Sequence, residues 1–168
     1  SAKNVGSELD RAEIFYQAVS VIGKSFPDQA RKFFAQAEES QGGSLQQTGT
    51  AERIKCTCLS LVLRSSRVLI KFGQFDDSYL ARFTRLCAQI KDPVTRTSYL
   101  ADLAIKGVCE GDTDLAKKII DEHCNPLIAE YATYEHCRNV LRGTVFTPLF
   151  LIKGRSALVN IEALDRYE

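Results

Sequence analysis

Apolar side chains recur every three or four positions along most of this chain, and that spacing commits it to helices. A helix brings residues i, i+3, i+4 and i+7 onto one face, whereas a half-buried strand needs strict alternation. Ala12, Phe15, Val19 and Ile22 keep the helical spacing, as do Ala30, Phe33, Phe34 and Ala37. No segment alternates apolar and polar residues between hairpin turns. The fold class predicted from the pattern is all-α.

Turn and cap residues divide the pattern into eight helical segments in four pairs. The first runs from Ser7, as N-cap, to Ile22, and the second follows Ser25-Phe26-Pro27. Gln41-Gly42-Gly43-Ser44 is read as its stop, with residues 41–50 a flexible internal linker. The third spans Ala51 to Phe72 and closes on Gly73, with Ile54, Cys58, Leu61, Val68 and Phe72 as its expected seam. The fourth begins near Asp77 and carries Leu80, Phe83, Cys87 and Ile90. Asp92-Pro93, a cap followed by proline at the first helical position, opens the fifth, whose core face is Leu100, Leu103, Ala104 and Val108. Gly111-Asp112-Thr113 turns into the sixth, with Leu115, Ala116, Ile119 and Ile120. Asn125-Pro126 repeats the cap-and-proline device for a seventh, holding Leu127, Tyr131, Tyr134 and Leu141 and ending at Gly143. Beyond it a turn is expected after Thr147-Pro148 and a last helix from Ser156.

Ile70-Lys71, Leu80-Ala81 and Asp92-Pro93 are echoed by Ile105-Lys106, Leu115-Ala116 and Asn125-Pro126, at offsets of 33 to 35 residues. Helix pairs repeating at this period stack into superhelices, because one pair cannot bury its face alone. Tyr99 to Pro126 loosely resembles a tetratricopeptide-type hairpin, with small residues Ala104 and Ala116 where the helices would cross; the aromatic and glycine positions of that motif are not all met, so the resemblance concerns architecture and not family. The expected architecture is an αα-hairpin stack of the TPR or HEAT type. An irregular helical bundle is the alternative.

The 168 residues are read as one helical domain, and the start on Ser1-Ala2 rather than Met as the mark of a fragment of a larger protein. A 45% hydrophobic and 26% charged content suits a globular chain and argues against disorder. No apolar run is long enough to span a membrane. The six cysteines fall mostly inside helical apolar patterns, which points to reduced thiols and an intracellular protein, cytoplasmic or nuclear.

Charge is segregated although the net charge is only +1. Residues 51–91 hold eight bases and three acids, and residues 92–135 hold four bases and nine acids. On the third helix Arg53, Arg64, Arg67 and Lys71 fall within about 60°, a row expected to flank the apolar seam. Arg82 and Arg85 are expected to extend it on the next helix. These six are the candidate binding residues. Guanidinium forks suit carboxylates and phosphates alike. The partner expected is another protein with an acidic segment; the alternative is nucleic acid or anionic head groups.

Glu122-His123-Cys124 recurs as Glu135-His136-Cys137, but neighbours on a helix diverge by about 100° and do not chelate one ion. No metal or cofactor is expected. No nucleophile loop or phosphate-binding glycine loop is present. Tyr131, Tyr134, Phe146 and Phe150 are read as core or as an end face left for a neighbour. The function expected is that of a non-catalytic interaction module, an adaptor or scaffold.

Overall fold

A computed structural model of the protein describes the backbone of residues 2–45, 52–131 and 133–164, and the side chains of residues 8–41, 52–131 and 133–154. It is 86% helix, with no strand among the described residues. The chain falls into two compact units, Ser1–Lys91 and Asp92–Glu168. The sequence reading treats it as one domain, but places its charge boundary at this same junction.

In the first unit α1 (Ala2–Ile22) and α2 (Pro27–Leu45) form a packed hairpin, on which α3 (Glu52–Lys71) and α4 (Asp77–Cys87) build. Ser7, expected as an N-cap, lies inside α1. Aromatic rings fill the core: Tyr16 meets Phe34 edge-on at 5.3 Å, and Phe34 meets Tyr79 at 4.8 Å. The expected stop at Gln41 is overturned, because α2 runs on to Leu45. Gln41 is 2% exposed, and its Oε1 accepts the Tyr16 hydroxyl at 2.9 Å, anchoring that turn to α1. Residues 46–50 of the expected linker lie outside the described residues. Gly23, just past the end of α1, leaves no room for a side chain against α3: a Cβ there would meet Val68 Cγ1 at 2.1 Å and Val19 O at 2.8 Å.

Three helix ends close on local caps. Gly73 takes φ +64°, and Gly73 N and Gln74 N donate to Ile70 O and Leu69 O, closing α3 in a Schellman turn. Asp76 caps α4 by accepting from the Ser78 and Tyr79 amides at 3.0 and 3.1 Å. Asp92 caps the next helix from Thr95 N at 2.7 Å, with Pro93 at its start.

The second unit is built on α5 (Pro93–Glu110), against which α6 (Thr113–Ile119), a π turn (Ile120–Cys124) and α8 (Glu135–Leu164) pack; α7 (Asn125–Glu130) lies between the π turn and α8. At the α5–α6 crossing a Cβ on Gly107 would stand 3.0 Å from Asp112 O and 3.5 Å from the Ala116 Cβ. Ala104 and Ala116 are fully buried.

Three expected breaks are absent. Asn125 is not a cap in extended backbone: it is helical, and its N–H reaches back five residues to Ile120 O. That wider turn sits just where Pro126, lacking an N–H, would press on the carbonyl of Glu122. Gly143 and Pro148 likewise do not end a helix, since α8 runs through both. Leu141, Val145, Pro148 and Ile152 share a stripe that is buried. Burying three such aliphatic side chains at about 1.5–3 kcal/mol each outweighs a proline cost of about 3 kcal/mol.

Gly23→Ala should destabilise the protein by about 1–3 kcal/mol through overpacking against Val68. Gly143, around which a Cβ would meet nothing within 4 Å, should tolerate alanine and gain up to about 1 kcal/mol of helix propensity. Urea denaturation followed by helical circular dichroism checks both, and equal midpoints for the two variants would refute the close approach at Gly23.

Candidate interaction surface

The surface is set by how much of α3 the first unit buries. Cys58, Leu59, Leu61, Val62, Leu63, Ser65, Ser66, Leu69 and Ile70 are buried. On a helical wheel they span about 200°. Three helices, α1, α2 and α4, cover that arc. The two serines are accommodated because Ser65 Oγ donates toward Leu61 O and Tyr16 O, at 3.4 and 3.3 Å, and Ser66 Oγ to Val62 O at 2.8 Å.

What remains wet is a narrow strip made of Arg53, Thr57, Ser60, Arg64, Arg67 and Lys71, all exposed. The expected seam proves to be one edge of the buried arc: Cys58 and Leu61 are buried, but Ile54, Val68 and Phe72 only half-buried. The row therefore stands opposite the buried face rather than beside it. Arg53, Arg64 and Lys71 have no ion-pair partner among the described residues. Arg53 and Arg64 lie about 16 Å apart along the axis, and Arg64 and Lys71 about 10 Å.

The two cations expected on α4 behave differently. Arg82 turns toward α2, where it pairs with Glu38 at 3.2 Å and covers the Tyr79 ring at 4.4 Å. Arg85 is exposed, with no ion-pair partner among the described residues. At the far end Lys55 Nζ donates to Gln89 O at 3.2 Å, and Glu52 Oε1 accepts from Lys91 N at 2.8 Å, tying the start of α3 to the end of α4.

Several acids of the second unit have structural work. Asp92 and Asp112 cap helices, and hydrogen bonds led by that from the Thr95 hydroxyl hold the Asp92 carboxyl below its usual range. Burial pushes Asp102 up. Asp114 approaches Lys117 at 3.9 Å on the surface.

All six thiols are free, with Cys58, Cys87 and Cys124 buried and Cys109 exposed. Burial pushes Cys58 up and Cys124 to about 12, which keeps both protonated and weakly nucleophilic near neutrality. Burial draws His123 down. Among the described residues no three His, Cys, Asp or Glu side chains gather as a metal site. Among the described residues no helix is long and apolar enough to cross a membrane.

The aromatic cluster divides into two pairs. Tyr131 and Tyr134 approach at 6.4 Å, and on α8 Phe146 and Phe150 stack at 6.2 Å. Both phenylalanines are 65% exposed, so they are not core. Compared with protein-family models, with curated proteins and with solved structures, the chain matches none.

Burial holds the Glu38 carboxyl at about 7 against an ordinary 4.5, with Arg82 opposing the shift. The folded state thus favours protonated Glu38. The stability this gives is fully present below about pH 4.5 and is lost as pH rises through about 7. Glu38→Gln should abolish that loss, gaining on the native protein between about pH 5 and about pH 8 in denaturation midpoints. Parallel pH profiles for the two proteins would contradict it.

Proposed function

We propose that this chain is a non-catalytic protein-interaction module, an adaptor or scaffold of helical-repeat type within a larger intracellular protein. Its α3 row takes an acidic segment of the partner. One observation carries this reading: Arg53, Arg64 and Lys71 project from the side of α3 opposite its buried arc, without ion-pair partners among the described residues. Arginine forks spaced along one rigid helix suit carboxylates on an extended or helical segment. The packed hairpins α1–α2 and α5–α6 are the kind of pair from which TPR- or HEAT-type stacks are made, which supports the helical-repeat reading. Free thiols agree with a reducing compartment.

An acidic protein segment is favoured over nucleic acid by the modest charge of the unit that bears the row. Residues 1–91 hold 13 bases and 9 acids, a net +4. The exposed positions between the row's cations are Thr57 and Ser60, not the aromatics on which single-stranded bases stack.

The test is binding of a fluorescent glutamate-rich peptide and of a generic oligonucleotide to the native protein and to a variant with Arg53→Glu, Arg64→Glu and Lys71→Glu. Peptide affinity should fall at least about tenfold in the variant and weaken with salt, while the oligonucleotide binds no better than the peptide. Equal peptide binding by both proteins would refute the role of the row. Tighter, steeply salt-dependent oligonucleotide binding would replace the acidic segment with phosphate as the ligand.

A further inference from the structure

Phe146 and Phe150, on α8 of the second unit, are exposed aromatic side chains that the proposed function does not use. Arg142, Phe146, Leu149 and Lys153 follow one another at i, i+4, i+7 and i+11. That spacing brings them within about 60° of the α8 surface. All four are exposed, as is Phe150, which stacks on Phe146 at 6.2 Å. The stripe lies about 100° round the helix from the buried Leu141, Val145, Pro148 and Ile152. Gly143 and Gly154 leave open space near its two ends. Between residues 136 and 161 the helix carries Arg138, Arg142, Lys153 and Arg155 and no acid.

We infer that this face of α8 docks an amphipathic helix of another protein whose acidic residues bracket an apolar pair, carboxylates meeting Arg142 and Lys153 while the apolar side chains cover Phe146, Leu149 and Phe150. The spacing is what selects this occupant. A cation stands at each end of the apolar patch, eleven residues apart, so a matching helix carries Glu or Asp at that same separation. The order cation, apolar, apolar, cation reads the same in both directions, so a partner helix satisfies it running either way.

A second copy of the chain does not satisfy it. Two α8 helices paired antiparallel about the middle of the stripe set Arg142 against Lys153 of the second copy. Paired parallel, they set each cation against itself. Like charges opposed across an apolar contact act against association. An anionic lipid surface meets the same two cations, but residues 92–168 carry 12 acids against 9 bases, a net −3 that opposes flat apposition.

The probe is a helix-stabilised peptide of about 16 residues with Glu, Leu, Leu and Glu at i, i+4, i+7 and i+11. Its control carries Lys in place of both Glu. Fluorescence anisotropy with the full chain should show the acidic peptide binding at least about tenfold tighter than the control. Phe146→Ser with Phe150→Ser should lose at least about tenfold in affinity. Arg142→Glu with Lys153→Glu should exchange the preference, taking the lysine peptide instead, an outcome that a misfolded variant does not give. The α3 charge-reversed variant should bind the peptide as the native protein does, so this test and that of the α3 row fail independently. Equal affinity for the two peptides, or binding of neither, overturns the inference. So does a dimer in sedimentation equilibrium that the double serine substitution dissolves, or binding to phosphatidylserine vesicles without binding to the acidic peptide.

Discussion

The first unit depends on the burial of α3 from three directions. A helix lying on a surface buries one stripe; α3 buries about 200° of its circumference, because α1, α2 and α4 all pack against it. Such a helix has few positions left for charge. Arg53, Arg64, Arg67 and Lys71 occupy the one wet strip, so their alignment follows from exclusion from every other side. The same demand explains Gly23, where α1 passes Val68 too closely for a Cβ, and Ser65 and Ser66, whose hydroxyls turn back onto their own helix.

The helical class, most helix starts and the caps at Asp92 and Asp112 were legible in the sequence, because capping chemistry is local: a carboxylate and the amide three residues on decide it. The breaks at Gln41, Asn125, Gly143 and Pro148 were misread for the complementary reason. Glycine and proline weaken a helix by amounts that propensity alone makes decisive, yet tertiary burial overrides them. Gln41 is held by Tyr16, from a different helix. Pro148 is itself part of the buried stripe of α8, and Pro126 is absorbed by a π turn that has no sequence signature of its own.

The candidate surface was half legible. Spacing placed the α3 cations in one row, since that needs only the pitch of a helix. Where the row points relative to the core was misjudged, because Ile54, Cys58, Leu61, Val68 and Phe72 keep helical spacing and look like the centre, although they lie along one edge of the buried arc, which continues through Val62, Leu59 and Leu63. Arg82 could not be separated from its neighbours by spacing, since its engagement with Glu38 and Tyr79 depends on α2 packing nearby. On α8 the two phenylalanines were visible as a cluster. Their exposure was not, because it depends on the helix continuing through Pro148.

The strip left wet by the burial of α3 is proposed as the binding face of the first unit. Its most direct measurement is the backbone amide spectrum of isotope-labelled protein titrated with a glutamate-rich peptide. Shifts concentrated at Arg53, Thr57, Ser60, Arg64 and Lys71, with Leu59, Val62 and Leu69 nearly unmoved, are expected. Shifts confined to other helices, or none at saturating peptide, would contradict it.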